Sequence, residues 1–199
     1  MDALIGNGTR YDLFSHDGKR RVVWRFKDEG VMVEDSAVAI MRSSRWMRIP
    51  YSQIASVTLS SAVVGRSATI GQCTLLLEDG RRIVITNGNE QGLADGQRDG
   101  PYRLFLRDFH ERLVASGDDA AIAFTSGYTP ARMNGLVFAT IIGTLFFVAL
   151  PIALLVISRD LKALVITATG ALFIWPAWRM IEANRPATYR PEAPPDLID

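Results

Sequence analysis

The chain has 199 residues, 48% of them hydrophobic and 22% charged, with a formal net charge of +1. Up to residue 130 there are 16 Lys+Arg against 16 Asp+Glu, and beyond it 6 against 5, a balance that excludes a strongly basic nucleic-acid binder. No charged residue stands between Arg132 and Arg159, which excludes a wholly soluble single domain.

In chain order, residues 1–19 form a polar segment with neither a basic n-region nor an apolar h-region, so nothing there directs export of the adjoining domain. The domain proper is expected over 20–117. Val22 to Phe26, the turn-forming Lys27-Asp-Glu-Gly30 and Val31 to Val33 predict a hairpin. Further strands are predicted at Ala37 to Met41, Trp46 to Ile49, Ile54 to Leu59, Cys73 to Leu77 and Arg82 to Thr86, with Asp79-Gly80 as the tightest turn. Cys73, the lone cysteine, cannot close an internal disulfide and reads as a buried thiol, consistent with a reducing compartment.

A Gly-rich loop comes next, over 87–100. Its glycines at 88, 92, 96 and 100 match neither the EF-hand nor the RTX nonapeptide pattern, so a flexible, solvated loop is expected in place of a calcium site. Leu104, Phe105, Phe109, Leu113 and Val114 recur at helical spacing and predict a helix from Pro101 to Ala115, with Gly117 as its stop. In the linker over 118–133, the apolar run Ala120 to Phe124 reads as a short strand or a boundary turn.

The stretch 134–158 holds 25 residues, fifteen of them Leu, Ile, Phe or Val. As a helix it reaches about 37 Å, more than the ~30 Å hydrocarbon core. The stretch 161–181 is weaker, with 16 residues between Lys162 and Arg179, and spans if those two side chains snorkel. Arg132, Arg159, Lys162, Trp175, Trp178 and Arg179 are the expected interface anchors. The short linker between the stretches predicts a helical hairpin with both chain ends on one side. Arg132, Arg179, Arg185 and Arg190 on the terminal side, against Arg159 and Lys162 in the loop, place both termini in the cytoplasm. Gly135, Ala139 and Gly143, and Ala163, Thr167 and Ala171, form small-residue stripes that permit close helix packing, within the hairpin or between copies. No ionisable residue lies in the core of either stretch, which argues against a proton or ion pathway. The tail over 182–199, with four prolines between Arg185 and Pro195, is expected to be disordered or polyproline II.

Six or seven antiparallel strands closed by one amphipathic helix define an α+β domain. The segments Arg48-Ile-Pro-Tyr-Ser-Gln-Ile-Ala-Ser-Val57 and Leu77-Glu-Asp-Gly-Arg-Arg-Ile-Val84 resemble those of bacterial pleckstrin-homology-like (PH-like) domains. The resemblance covers roughly residues 20 to 117 and implies a barrel or sandwich capped by its C-terminal helix. It also implies a binding or scaffolding role, since such domains recur joined to membrane helices. Eukaryotic relatives that bind phosphoinositides use a basic motif in the first hairpin, which Arg25-Phe-Lys27 matches only loosely, so no headgroup is assigned.

Catalytic chemistry has little to stand on. His16 and His110 belong to no metal-ligand cluster, His110 is expected to be solvent-facing or partly covered, and no nucleophile elbow or nucleotide fingerprint occurs. Neither an enzyme nor a cofactor is expected. Basic residues are more suggestive: up to residue 86 the chain carries 12 Lys+Arg against 9 Asp+Glu, and residues 87 to 130 carry 4 against 7. Lys19, Arg20, Arg21, Arg25, Lys27, Arg42, Arg45 and Arg48, with Arg81 and Arg82 on the last hairpin, are candidate contacts to an anionic membrane surface. The sequence thus predicts a multi-pass plasma-membrane protein presenting a cytoplasmic PH-like module to lipid and to a protein partner or second copy. The alternative is an accessory subunit of an envelope or transport complex, bound through its hairpin.

Overall fold

A computed structural model describes residues 7–18, 29–64, 68–158 and 162–196. The chain divides into a sheet unit, Met1–Gly127 with Ala187–Asp199, and a helical unit, Tyr128–Pro186. The class is α+β.

Among the described residues of the sheet unit, nine strands form one sheet: β1 (Thr9–Asp17), β2 (Glu29–Val33), β3 (Ala37–Arg42), β4 (Arg45–Pro50), β5 (Ile54–Val64), β6 (Ala68–Leu77), β7 (Arg82–Thr86), β8 (Ala123–Ser126) and β9 (Ala187–Thr188). Their order is β4-β3-β2-β1-β7-β6-β5-β8-β9. Sequence neighbours pair antiparallel from β1 to β4 and from β5 to β7. Strand β7 then turns back to pair with β1, placing Phe14 opposite Thr86 and His16 opposite Val84. β8 lies parallel to β5, and β9 antiparallel to β8.

The inner face follows the two-residue period of a pleated strand. Cys73, Leu75 and Leu77 of β6 and Ile83 and Ile85 of β7 are buried. A single cluster joins these to Val31 and Val33 of β2 and Val38 and Ile40 of β3, so the sheet curls around one core. Helix α1 (Asp99–Ser116) closes it with Tyr102, Phe105, Phe109 and Leu113, each contributing roughly 1.5–3 kcal/mol through burial. Phe105 meets Tyr11 edge-on at 5.9 Å between ring centroids, and Phe109 meets Tyr51 at 5.8 Å. Gly117 ends α1 in the left-handed region at φ 77°, its N–H bonded to the Val114 carbonyl. Leu104, expected on the apolar face, points outward, and Tyr102 takes the buried place.

Two other expectations are corrected, and a third is not tested. The polar segment over 1–19 contains β1, where Tyr11 and Leu13 alternate into the core around an exposed Asp12. The hairpin strand at Val22 to Phe26 lies outside the described residues. The tail is packed over part of its length: Ala187–Thr188 forms β9, because Phe124 and Ser126 leave their outer strand edge free to accept it.

The helical unit contains α2 (Pro130–Thr144), a π-helical turn (Leu145–Ala149), α3 (Leu150–Ser158) and α4 (Lys162–Ala183). The wide π turn ends two residues before Pro151, whose ring would collide with the carbonyl four residues back and whose nitrogen has no hydrogen to give. α4 packs along α2, the π turn and α3. Met133 near the start of α2 meets Ile181 near the end of α4, so the pair is antiparallel. Among the described residues one continuous helix, Pro130–Ile157, has the length and apolar composition to cross a membrane. The small-residue stripe of α2 is not used for packing here. A Cβ added to Gly135 or Gly143 would meet no atom within 4 Å.

Candidate functional site

Of the candidate basic residues, three stand on one hairpin, Arg42 on β3 and Arg45 and Arg48 on β4. β3 and β4 are joined by Ser43-Ser44, both in the left-handed region at φ 48° and 64°. This brings Arg42 directly opposite Arg45 at the tip. Arg42 stands 3.9 Å from Asp17, and Arg45 is exposed. Arg48, three residues along β4, falls on the other face by the alternation of the strand. There its Nε donates to the buried Glu34 carboxylate at 2.6 Å and its Nη2 to Ser36 Oγ at 3.1 Å. That pairing makes Arg48 part of the domain's own scaffold and separates it from Arg42 and Arg45. On the last hairpin, Arg81 pairs with Asp79 at 2.6 Å while Arg82 is exposed. Lys19, Arg20, Arg21, Arg25 and Lys27 lie outside the described residues.

The expected interface anchors occupy the helical unit. The Arg132 guanidinium lies 4.0 Å from the ring centroid of Tyr128. Because α2 and α4 are antiparallel, Arg132 shares its end of the pair with Trp175, Trp178 and Arg179, all exposed. Lys162 opens α4, and Arg159 lies outside the described residues. Between these ends the outer surface is apolar: Phe138 is 66% exposed, Phe146 63%, Val156 75% and Leu172 74%. Thr140 and Thr144 return their hydroxyls to the carbonyls of Leu136 and Thr140, each at 2.8 Å, so they present no free polar group.

Two polar clusters were not legible from spacing. His110 is 1% exposed, where a solvent-facing or partly covered ring was expected. Its Nδ1 lies 2.7 Å from the Leu106 carbonyl and its Nε2 2.9 Å from the Tyr189 hydroxyl. A carbonyl only accepts, so Nδ1 carries the proton and Tyr189 donates to Nε2. Burial lowers the pKa of this imidazole, and burial likewise lowers that of His16. The second cluster orders the Gly-rich loop, which is therefore fastened where a flexible one was expected. The Asn87 side chain, fully buried, accepts from the Gly71 N–H at 2.7 Å and donates to the Thr69 carbonyl at 3.1 Å and to Asp99 at 2.6 Å. Asn89 accepts from Gln91 and Leu93, and Asp95 caps Gln97 and pairs with Arg98. Arg98 in turn lies over the Phe14 ring and reaches the Asp12 carbonyl. The partners of Asn87 stand 12 to 18 residues away from it, and Arg98 and Asp12 are 86 apart, while the bonds of Asn89 and Asp95 are local.

Among the described residues no three His, Cys, Asp or Glu converge as a metal site would require. Burial pushes the Cys73 thiol up to about 12, which leaves it inert at neutral pH. No protein-family model matches the chain, and no curated protein matches it either.

Proposed function

We propose that this chain is a non-enzymatic integral membrane protein that displays a PH-like binding or scaffolding domain at the inner membrane surface. The observation that carries the reading is where the large exposed apolar side chains fall: among the described residues nearly all belong to the helical unit, from Phe138 to Trp178. In water that surface would be a severe aggregation liability, and in a bilayer it is ordinary. The sheet adds a topological argument. β8 precedes the helical unit, β9 comes after it, and Ser126 pairs with Ala187. The chain therefore leaves and re-enters the sheet unit at one place, and an odd number of membrane crossings is incompatible with that pairing. If Pro130–Ile157 crosses, α4 returns. The excess of Arg at the shared end of the pair favours a cytoplasmic sheet unit. The meander closed through β7 and β1, with α1 against the core, supports the PH-like reading. Arg42 and Arg45 are its best described contacts for anionic lipid, each worth about 1 kcal/mol near the surface.

The stripe of Gly135, Ala139 and Gly143, which leaves room beside it, favours one alternative, an accessory subunit whose hairpin binds another membrane helix. Replacing the helical unit by an unrelated hairpin separates the two: partner capture survives under the first reading and is lost under the second. Membrane residence is tested by washing membranes with alkaline carbonate, which should leave the full chain in the pellet; release into the wash would overturn the proposal. Orientation is tested with cysteines placed at Ser116 and Ala193, the buried Cys73 staying silent. Both should react with an impermeant maleimide only after the cells are opened. Reaction of one but not the other would refute the two-crossing arrangement.

A further inference from the structure

We infer that the C-terminal segment from Ala187 to Asp196 is a strap that Tyr189 fastens to the sheet unit through His110, and that it unfastens when that imidazole takes up a second proton. Its other holds among the described residues include a short strand, an exposed ion pair and a long bond from Ser126 Oγ to the Ala187 carbonyl at 3.5 Å. β9 pairs only two residues with β8, both exposed, and the Tyr189 N–H reaches the Phe124 carbonyl at 3.3 Å. Further on, Asp196 stands 3.7 Å from Arg103 with both side chains about half exposed or more, a pair of little worth in water. Tyr189 is the substantial contact. Its ring packs against His110 at 5.7 Å and Phe124 at 5.6 Å between centroids, and its hydroxyl donates to His110 Nε2.

That contact requires a neutral ring. Nδ1–H is committed to the Leu106 carbonyl, so Nε2 accepts only while it is unprotonated. A proton on Nε2 sets a donor against a donor and creates a buried cation. Among the described residues, nothing that faces the ring offers a counter-charge. From α1 come the Leu106 carbonyl and the Phe109 ring, from β8 the Phe124 ring, and from the strap Tyr189. Beyond them Tyr102 of α1 and Cys73 of β6 are neutral groups with burial-raised pKa. The nearby charges, Glu111 paired with Arg107 and Asp196 near Arg103, sit on exposed side chains. Lifting Tyr189 away lets water reach the imidazole and returns its affinity for the proton. Because one proton is linked to opening, the open-to-closed ratio rises by up to tenfold for each pH unit below the free-histidine value of 6.5. Opening also strips β9 from β8 and bares that strand's outer edge.

The test uses the full chain in detergent micelles with a nitroxide on Glu192→Cys, Cys73 being unreactive. Spin-label mobility and far-UV circular dichroism are measured from pH 8 to 5. The expected result is an immobilised label above pH 7 and a mobile fraction growing up to tenfold per unit below 6.5, with unchanged dichroism. His110→Gln, whose amide oxygen can accept from Tyr189 and which does not titrate, should keep the label immobile throughout. A label that stays immobile in the unsubstituted chain, or moves only as the dichroism collapses, overturns the inference. So does an unchanged pH response in His110→Gln, which would assign the response to His16 or another group.

Discussion

Ser15 is a weak point in a well-satisfied core. It sits on β1 opposite Ile85, with its hydroxyl oxygen sealed from solvent and without a hydrogen-bond partner among the described residues. Burying a hydroxyl unpaired costs about 1–3 kcal/mol, so Ser15→Ala should stabilise the sheet unit by about 1 kcal/mol, read as a higher urea midpoint. Asn87 is the opposite case, since one buried amide satisfies Gly71, Thr69 and Asp99 together. Asn87→Ala strands three partners and should cost about 2–4 kcal/mol. Asn87→Asp keeps the shape but sets two carboxylates against each other and should also destabilise. Hydrogen exchange should show the damage first in the loop over 87–100.

The β3–β4 hairpin turns on two serines where asparagine and glycine are favoured, because both positions have positive φ. Ser44→Gly removes a left-handed strain of about 1 kcal/mol at some cost in unfolded-chain entropy, for a net gain of roughly 0.5 kcal/mol. Ser44→Val, β-branched at the same φ, should lose more than about 1 kcal/mol, and thermal melts of the two variants should move in opposite directions. The hairpin also shows why basic residues counted along a strand do not make a patch. Arg42 and Arg45 meet across the turn, while Arg48 is turned away by the pleat and held by Glu34. Helix α1 teaches a related point: its period was readable from Phe105, Phe109 and Leu113, yet the choice between Tyr102 and Leu104 for the buried face depended on where the sheet lies.

For the folded chain, both histidines have pKa values lowered by burial from 6.5. The unfolded chain then binds more protons as pH falls through 6.5, so stability is full above that value and declines below it, down to the folded-state pKa values. Denaturant unfolding at pH 7.5 and 5.5 should give the lower stability at 5.5, and His110→Gln should shrink the difference.

The pattern of apolar residues was enough to place strands β3 to β7, the turn at Asp79-Gly80, helix α1 with its Gly117 stop, and the two apolar stretches that become the helical unit. Each is a local regularity, period two or 3.6, written in neighbouring residues. Other features join residues far apart along the chain. β1 was hidden because Asp12, Ser15 and His16 break its apolar pattern, and it is a strand because β2 and β7 flank it. The packed tail, the buried His110 and the ordered Gly-rich loop arise from contacts such as Tyr189 to His110, 79 positions apart. Spacing carries no record of such pairs, because burial and hydrogen-bond satisfaction are set only when the sheet curls and brings the partners together.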